Sequence, residues 1–406
     1  GLVGSEMCIR DRIKTMEKRR SIENGWIEIE KGKIIAVEEG SPDVVGTEDL
    51  DGQGKLLIPG FIDAHTHLGI IENGIDFEGD DCNEATDPFT PQLRTIDGIN
   101  PMDRCFEEAY KRGITSAVVA PGSANPCGGE IIAVKTYGRR VDDMIIKPVG
   151  IKFALGENPK RVYNDRDETP VTRMATAALI REGLTKAKRY LADIDAYEID
   201  KENNDMPEFD LKNHALIPLL RREISAHFHC HRADDMFTAV RIAKEFDLKL
   251  VIVHATEGHL IADILGTEKL SAISGPVICD RCKPEMKGLE LKNTAELVKN
   301  GVKTSICTDH PVIPIQYLPA SAAMAVKGGL DSDIALEAIT INAAEIAGID
   351  DTTGSIAVGK DADLQLYCGN PLDIMNDPEL VMINGKVLNN TCLLYTSPSP
   401  RDPKTS

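Results

Sequence analysis

The sequence predicts a parallel α/β fold carrying a small β domain built from both ends of the chain. Two patterns carry that prediction. Through the middle, apolar runs of strand length alternate with segments of helical spacing, as in repeated β–α units. Near both ends, apolar and polar residues alternate one by one, and turn signals divide them into hairpins.

Residues 25–40, GWIEIEKGKIIAVEEG, alternate and turn at Lys31-Gly32-Lys33. The pattern returns at 359–367 and 379–388, where Asn384-Gly385 is a strong hairpin signal. These strands predict one discontinuous β domain, 13–58 with 355–390, around a larger unit at 59–354. In that unit the apolar runs are 55–67, 114–122, 145–156, 223–229, 248–254 and 302–309, with weaker candidates at 118–132 and 272–278. Such continuous runs suit strands buried on both faces, as parallel sheets require. Helical spacing is found at 101–112, 172–192, 234–246, 293–300 and 332–347. Strand number alone does not separate a closed barrel from an open sheet.

The chain has 406 residues, enough for one barrel of roughly 250 residues and a smaller domain. Aromatics are only 4%, so the core must be aliphatic. A net charge of −19 argues against nucleic acid and anionic membrane as partners and says nothing about substrate. No apolar run reaches the roughly 18 residues that span a bilayer, and no secretion signal is evident, so the expected compartment is the cytoplasm. Ten cysteines without a regular framework read as reduced thiols, and Cys279 and Cys282 form a CxxC with no second pair to complete a zinc site. Residues 1–12 and 391–406 resemble translated sequencing-adapter ends and are expected to be non-native. A homo-oligomer is compatible with this composition.

Several apolar runs end in a residue able to bind a metal: His65 and His67, Lys152, His229, His254 and Asp309. In a barrel the strand C-termini meet on one face, so these distant residues would share a site. Alternate residues on a strand point the same way, which lets His65 and His67 bind one ion together. His227, His229 and His231 also share a face. His229 is favoured as the ligand because it stands where the strand should end, with His231 and Arg232 above it to meet substrate. Asp309 can bind metal and also take a proton from water.

At these residues the sequence resembles the amidohydrolase superfamily, near imidazolonepropionases and metal-dependent Xaa-Pro dipeptidases. The carrying motifs are PGFIDAHTH at 59–67, the strand-end His229 and His254, TDHP at 308–311, and GSIAVGKDADLQLY at 354–367. The resemblance implies a (β/α)₈ TIM barrel with a small β-sandwich domain formed by the N- and C-terminal segments. It implies His65 and His67 as first-strand ligands, His229 and His254 as fifth- and sixth-strand ligands, and Asp309 as eighth-strand ligand and base. Lys152 matches the carboxylated lysine that bridges two ions in binuclear members. One or two divalent ions are therefore implied, zinc first, with manganese or iron as alternatives.

The expected reaction is hydrolysis of an amide C–N bond, linear or cyclic, in a small-molecule substrate. Two rim segments, 121–130 and 156–163, read as substrate-recognition loops. Lys160 and Arg161 are expected to hold a carboxylate, and Glu157, His231, Arg232 and His259 to contact substrate. Two alternatives stand beside this: a mononuclear deaminase using His254-Ala255-Thr256-Glu257 as an HxxE element, and a binding barrel without activity.

Overall fold

The computed structural model describes residues 7–40 and 48–390. Alternation at the N-terminus produces β1 (Met7–Lys14), β2 (Ser21–Glu30), β3 (Lys33–Glu39) and β4 (Glu48–Pro59). In β2, Ile27 and Ile29 are buried while Glu28 between them and Glu30 beyond them stay partly exposed, so one face is core and one is wet. The chain then leaves the small domain at Gly60 and starts the larger one. The apolar runs become β5 (Phe61–Thr66), β6 (Ile114–Val119), β7 (Cys127–Lys135), β8 (Ile145–Ala154), β9 (Ser225–Cys230), β10 (Leu250–His254), β11 (Ser271–Ser274) and β12 (Lys303–Ile306). The return to the small domain gives β13 (Leu364–Tyr367), β14 (Leu380–Ile383) and β15 (Lys386–Asn390).

The seven terminal strands form one sheet in the order β15-β14-β13-β4-β1-β2-β3. Ile13, Ile27, Ile34, Leu57, Leu364 and Met382, from both ends of the chain, share its core. Both expected turns are present. Lys31 and Gly32 have φ of 49° and 76°, and Asn384 and Gly385 have 50° and 76°, the paired left-handed residues of a two-residue hairpin turn. The turns meet tip to tip, since a Cβ on Gly385 would stand 2.8 Å from Gly32 Cα. Residues 7–12, which belong to the segment expected to be non-native, pair within β1, and Ile9 is buried there. Residues 1–6 and 391–406 lie outside the described residues.

The eight remaining strands hydrogen-bond in chain order from β5 to β12. Every residue of β5, β6 and β10 is buried, as expected for strands covered on both sides. The ring is drawn together at its rim: Asp309 N–H donates to His65 O at 3.2 Å, and His67 N–H to His310 O at 2.9 Å. Asp63 ties the same two ends by accepting the backbone N–H and hydroxyl of Thr308. The expected barrel with a small terminal domain is therefore present.

Three expectations need correction. The strands do not all run one way, because β7 is antiparallel to both β6 and β8. The links on either side of it are too short for a crossover helix, which takes a dozen residues or more, so they close hairpins instead. The helix expected at 332–347 is two, Ser332–Ala338 and Ile341–Ala347. It breaks where the Ile339 carbonyl accepts the backbone N–H of Ile62 on β5 at 2.8 Å. The segment 156–163, expected as a loop, is mostly the helix Glu157–Asn164, entered through Gly156 at φ 89°. No helix among the described residues is long and apolar enough to cross a membrane.

Candidate metal centre and active site

The strand ends deliver imidazoles and a carboxylate to one rim. His67, one residue past β5, donates from Nδ1 to the Ala120 carbonyl at 2.7 Å. His254, closing β10, donates from Nδ1 to the Gly275 carbonyl at 2.7 Å. Each bond fixes the ring through Nδ1 and leaves Nε2 for another partner, the arrangement that a metal-binding histidine takes from a carbonyl neighbour. His254 and Asp309 have φ of 74° and 54°. Left-handed backbone at such residues costs free energy of order 1–3 kcal/mol and concentrates at functional sites.

Asp309 Oδ1 stands 3.4 Å from His67 Nε2 and 3.6 Å from His65 Nε2. Lys152, wholly buried at the end of β8, places Nζ 3.0 Å from His65 Nε2. Two overlapping groups have ligand atoms all within 4.8 Å of one another: His65, His254 and Asp309, and His229, His231 and His254. The fifth strand therefore offers both His229 and His231. His227 sits one step lower, paired in register with Lys152, and neither of its ring nitrogens has a partner.

Burial dominates the electrostatics. It pushes the His254 imidazole down to about 4 and His227 to about 3, and holds His65, His229 and His231 well below the usual range. Burial also pushes the Lys152 ammonium down to about 8. His67 and Asp309 are the exceptions. Burial would lower His67, but Cys82 and Asp309 beside it hold the imidazole up at about 10. Burial would raise the Asp309 carboxyl, but the charges of His254, His67 and Lys152 outweigh that and hold it at about 2. The uncharged imidazoles of His65, His229, His231 and His254 beside an ionised carboxylate are the kind of donor set a divalent cation takes.

The group opens into a cavity of about 660 Å³. Of the expected substrate contacts, only His231 lines it. Arg232 is paired with Asp234 at 2.8 Å, Arg161 with Glu157 at 2.9 Å, and His259 packs beside Asn293. Lys160 is half-buried outside the cavity. Glu157 itself caps the loop that follows β11, accepting the Glu285 N–H at 3.0 Å. The rim charges are thus spent on near neighbours. The walls come instead from Ser123, Asn158, Ile278, Lys283, Met286 and Val312. Ser123 and Asn158 lie in the two rim segments flagged from the sequence. The β11 loop carried no such signal, since its strand is short.

Glu257, the acid of the HxxE element, accepts the Ala233 N–H at 3.1 Å and does not line the cavity. The CxxC cysteines are free and sit at the cavity wall.

A nearly closed α/β barrel whose strand ends gather imidazoles and a carboxylate able to hold a metal ion belongs to the class of barrel hydrolases. The chain belongs to the amidohydrolase family, whose model matches residues 56–388. It is similar to a solved amidohydrolase from Thermotoga maritima MSB8, with 40% identity and a TM-score of 0.90 over 95% of this chain and 100% of that one. The amidohydrolase tasK of Hapsidospora irregularis is 29% identical over 94% of this chain, which spans only 41% of that relative's length. An imidazolonepropionase from Fusobacterium nucleatum is 26% identical over 88% of each chain.

Proposed function

We propose that this chain hydrolyses an amide C–N bond, linear or cyclic, in a small molecule, with Asp309 as general base at a divalent metal site. Hydrolysis of a C–N bond is the level at which the family and the site agree. The observation that carries the finer reading is the convergence of His65, His254 and Asp309 within 4.8 Å, with His254 and His67 oriented by carbonyls. These donors fit a divalent ion, zinc by chemistry, with manganese or iron also compatible. When bound, such an ion lowers the pKa of water to about 7 and polarises the scissile carbonyl.

The chain's own residues supply the rest. Asp309, ionised above about pH 2, accepts a proton from the attacking water and hands it to the leaving nitrogen. Lys152, with its pKa near 8, has a neutral fraction at physiological pH. That amine can add to carbon dioxide and lose one proton, turning a repelling cation into an anionic ligand beside His65. The cavity wall of Ile278, Met286 and Val312 offers apolar surface to the acyl portion, and Ser123 and Asn158 offer it hydrogen bonds. The deaminase reading lacks its acid, because Glu257 is engaged at a helix start.

Metal-loaded protein should be screened against N-acyl amino acids, Xaa-Pro dipeptides and cyclic amides including imidazolones. On any substrate found, Asp309→Asn should lower kcat by about 10²–10⁴-fold at saturating metal. Full activity in that variant would sink the assignment of the base. Ammonia released from an aminated heterocycle, with no amide substrate accepted, would favour deamination.

A further inference from the structure

The CxxC pair belongs to neither histidine group, and no step of the proposed hydrolysis uses it. Cys279 and Cys282 lie on the loop after β11, Cys279 half-buried and Cys282 exposed, and both thiols are free. Met286 follows in the short turn Pro284–Met286 and is only 3% exposed. All three line the cavity. The turn is pinned from outside: Glu285 Oε2 accepts the Glu157 N–H at 2.9 Å, and the Glu285 N–H donates to Glu157 Oε2 at 3.0 Å. Cys282 Sγ donates to Met286 Sδ at 3.9 Å, and Cys279 Sγ to the Pro276 carbonyl at 3.6 Å. Burial and then the neighbouring Cys282 thiol push the Cys279 thiol up to about 11, so it stays protonated at neutral pH.

Two thiols and a thioether are the donors that soft cations select. Zinc takes four ligands, and among the described residues no group of three or more His, Cys, Asp or Glu within 4.8 Å includes either cysteine. A soft monovalent ion is satisfied by sulfur alone. Sulfurs about 2.3 Å from a trigonally bound ion lie about 4.0 Å from one another, and Cys282 and Met286 already stand 3.9 Å apart. We propose that Cys279, Cys282 and Met286 form a site for one copper(I) ion on the cavity wall. The ion replaces the proton that Cys282 directs at Met286. Both thiols lose their protons to solvent, copper stays copper(I), and the complex carries one net negative charge. Lys283, next to Cys282 in the chain, has an ammonium that favours the Cys279 thiolate and offsets that charge.

The test is an anaerobic titration of reduced protein with copper(I) against a chromophoric copper(I) chelator, after the histidine group has been loaded with zinc. One copper(I) ion should bind, with a thiolate-to-copper charge-transfer band in the ultraviolet and release of two protons. Cys282→Ser, at an exposed position, should keep the wild-type melting temperature and bind copper(I) about 100-fold more weakly or worse, beyond the roughly 10–100-fold that loss of an orienting neighbour costs. Cys279→Ser should do the same. Met286→Leu, close in volume, should fall between the wild type and the two serine variants. Cys368→Ser, at an exposed thiol just past β13, should bind as the wild type does. Wild-type affinity in either CxxC variant, or an equal loss in Cys368→Ser, would overturn the site. Displacement of the copper by equimolar zinc would overturn the choice of ion. Protein that takes up copper(I) at these sulfurs but no zinc would uphold this site and count against the metal-dependent hydrolase alone.

Discussion

Six buried histidines set the acid response of the metal-free protein. Burial lowers His254 and His310 to about 4 and His227 to about 3, and takes His65, His229 and His231 well below 6.5. Unfolded, each titrates near 6.5, so below that pH the unfolded chain binds more protons than the folded one. Stability therefore falls as pH drops from about 6.5 toward 4. Asp63 and His67 act in the opposite sense, because burial raises the carboxyl to about 7 and Cys82 and Asp309 hold the His67 imidazole up at about 10 against its burial, but they are two groups against six. Chelator-treated protein should lose melting temperature steeply from pH 7 to 4.5, and bound metal should flatten the loss. A melting temperature that holds steady over that range would contradict the burial of uncharged imidazoles. At this scale the sequence was informative about residue type. HxH spacing and strand ends marked His65, His67, His229, His254 and Asp309. It was silent on Glu285, whose distant partners come from two other segments, at Glu157 and at His229 and His231.

Among the elements, the entry to the helix Glu157–Asn164 is the most constrained. Gly156 has φ 89°, and an added Cβ would meet Glu285 Oε2 at 2.5 Å. Gly156→Ala should cost about 1–3 kcal/mol for the backbone alone, with more from displacing Glu285, measurable by urea unfolding. A neutral result would show that the rim rearranges freely. Strands were legible because buried runs are continuous and end in polar residues. The direction of β7 was not, since an apolar run has no polarity; only the short links around it reveal the hairpins. The break at Ile339-Thr340 was also hidden, because its cause is a hydrogen bond from β5 rather than a local breaker. The helix Leu318–Lys327 went unrecognised because its small residues show little contrast between faces.

Across the whole molecule, one buried cluster joins barrel to sheet. Lys135 at the end of β7 reaches Asp361 at 2.9 Å and also pairs with Asp363, and it is only 4% exposed. Asp363 in turn accepts the Asn384 N–H at 3.0 Å and the Thr353 hydroxyl at 2.8 Å. Lys135→Ala strands Asp363, while Asp361 keeps Lys33 at 2.5 Å, and breaking a buried pair this way costs about 3–5 kcal/mol. Equilibrium denaturation should show that loss. A change within about 0.5 kcal/mol would mean that the two units hold together without this pair. The two-unit layout was legible from hairpin signals at both ends, but the cluster binding the units was not.

By itself the sequence determined the layers, the terminal hairpins and which strand-end side chains face one rim, because periodicity and turn chemistry are local properties. Only the tertiary structure decided which of those side chains meet. Coordination, ion pairing and helix capping all compete for the same charged groups at distances of 3–4 Å. Arg232, Arg161 and Glu257 went to neighbours, and His231 joined the cluster of His229 and His254, through contacts that no stretch of chain encodes alone.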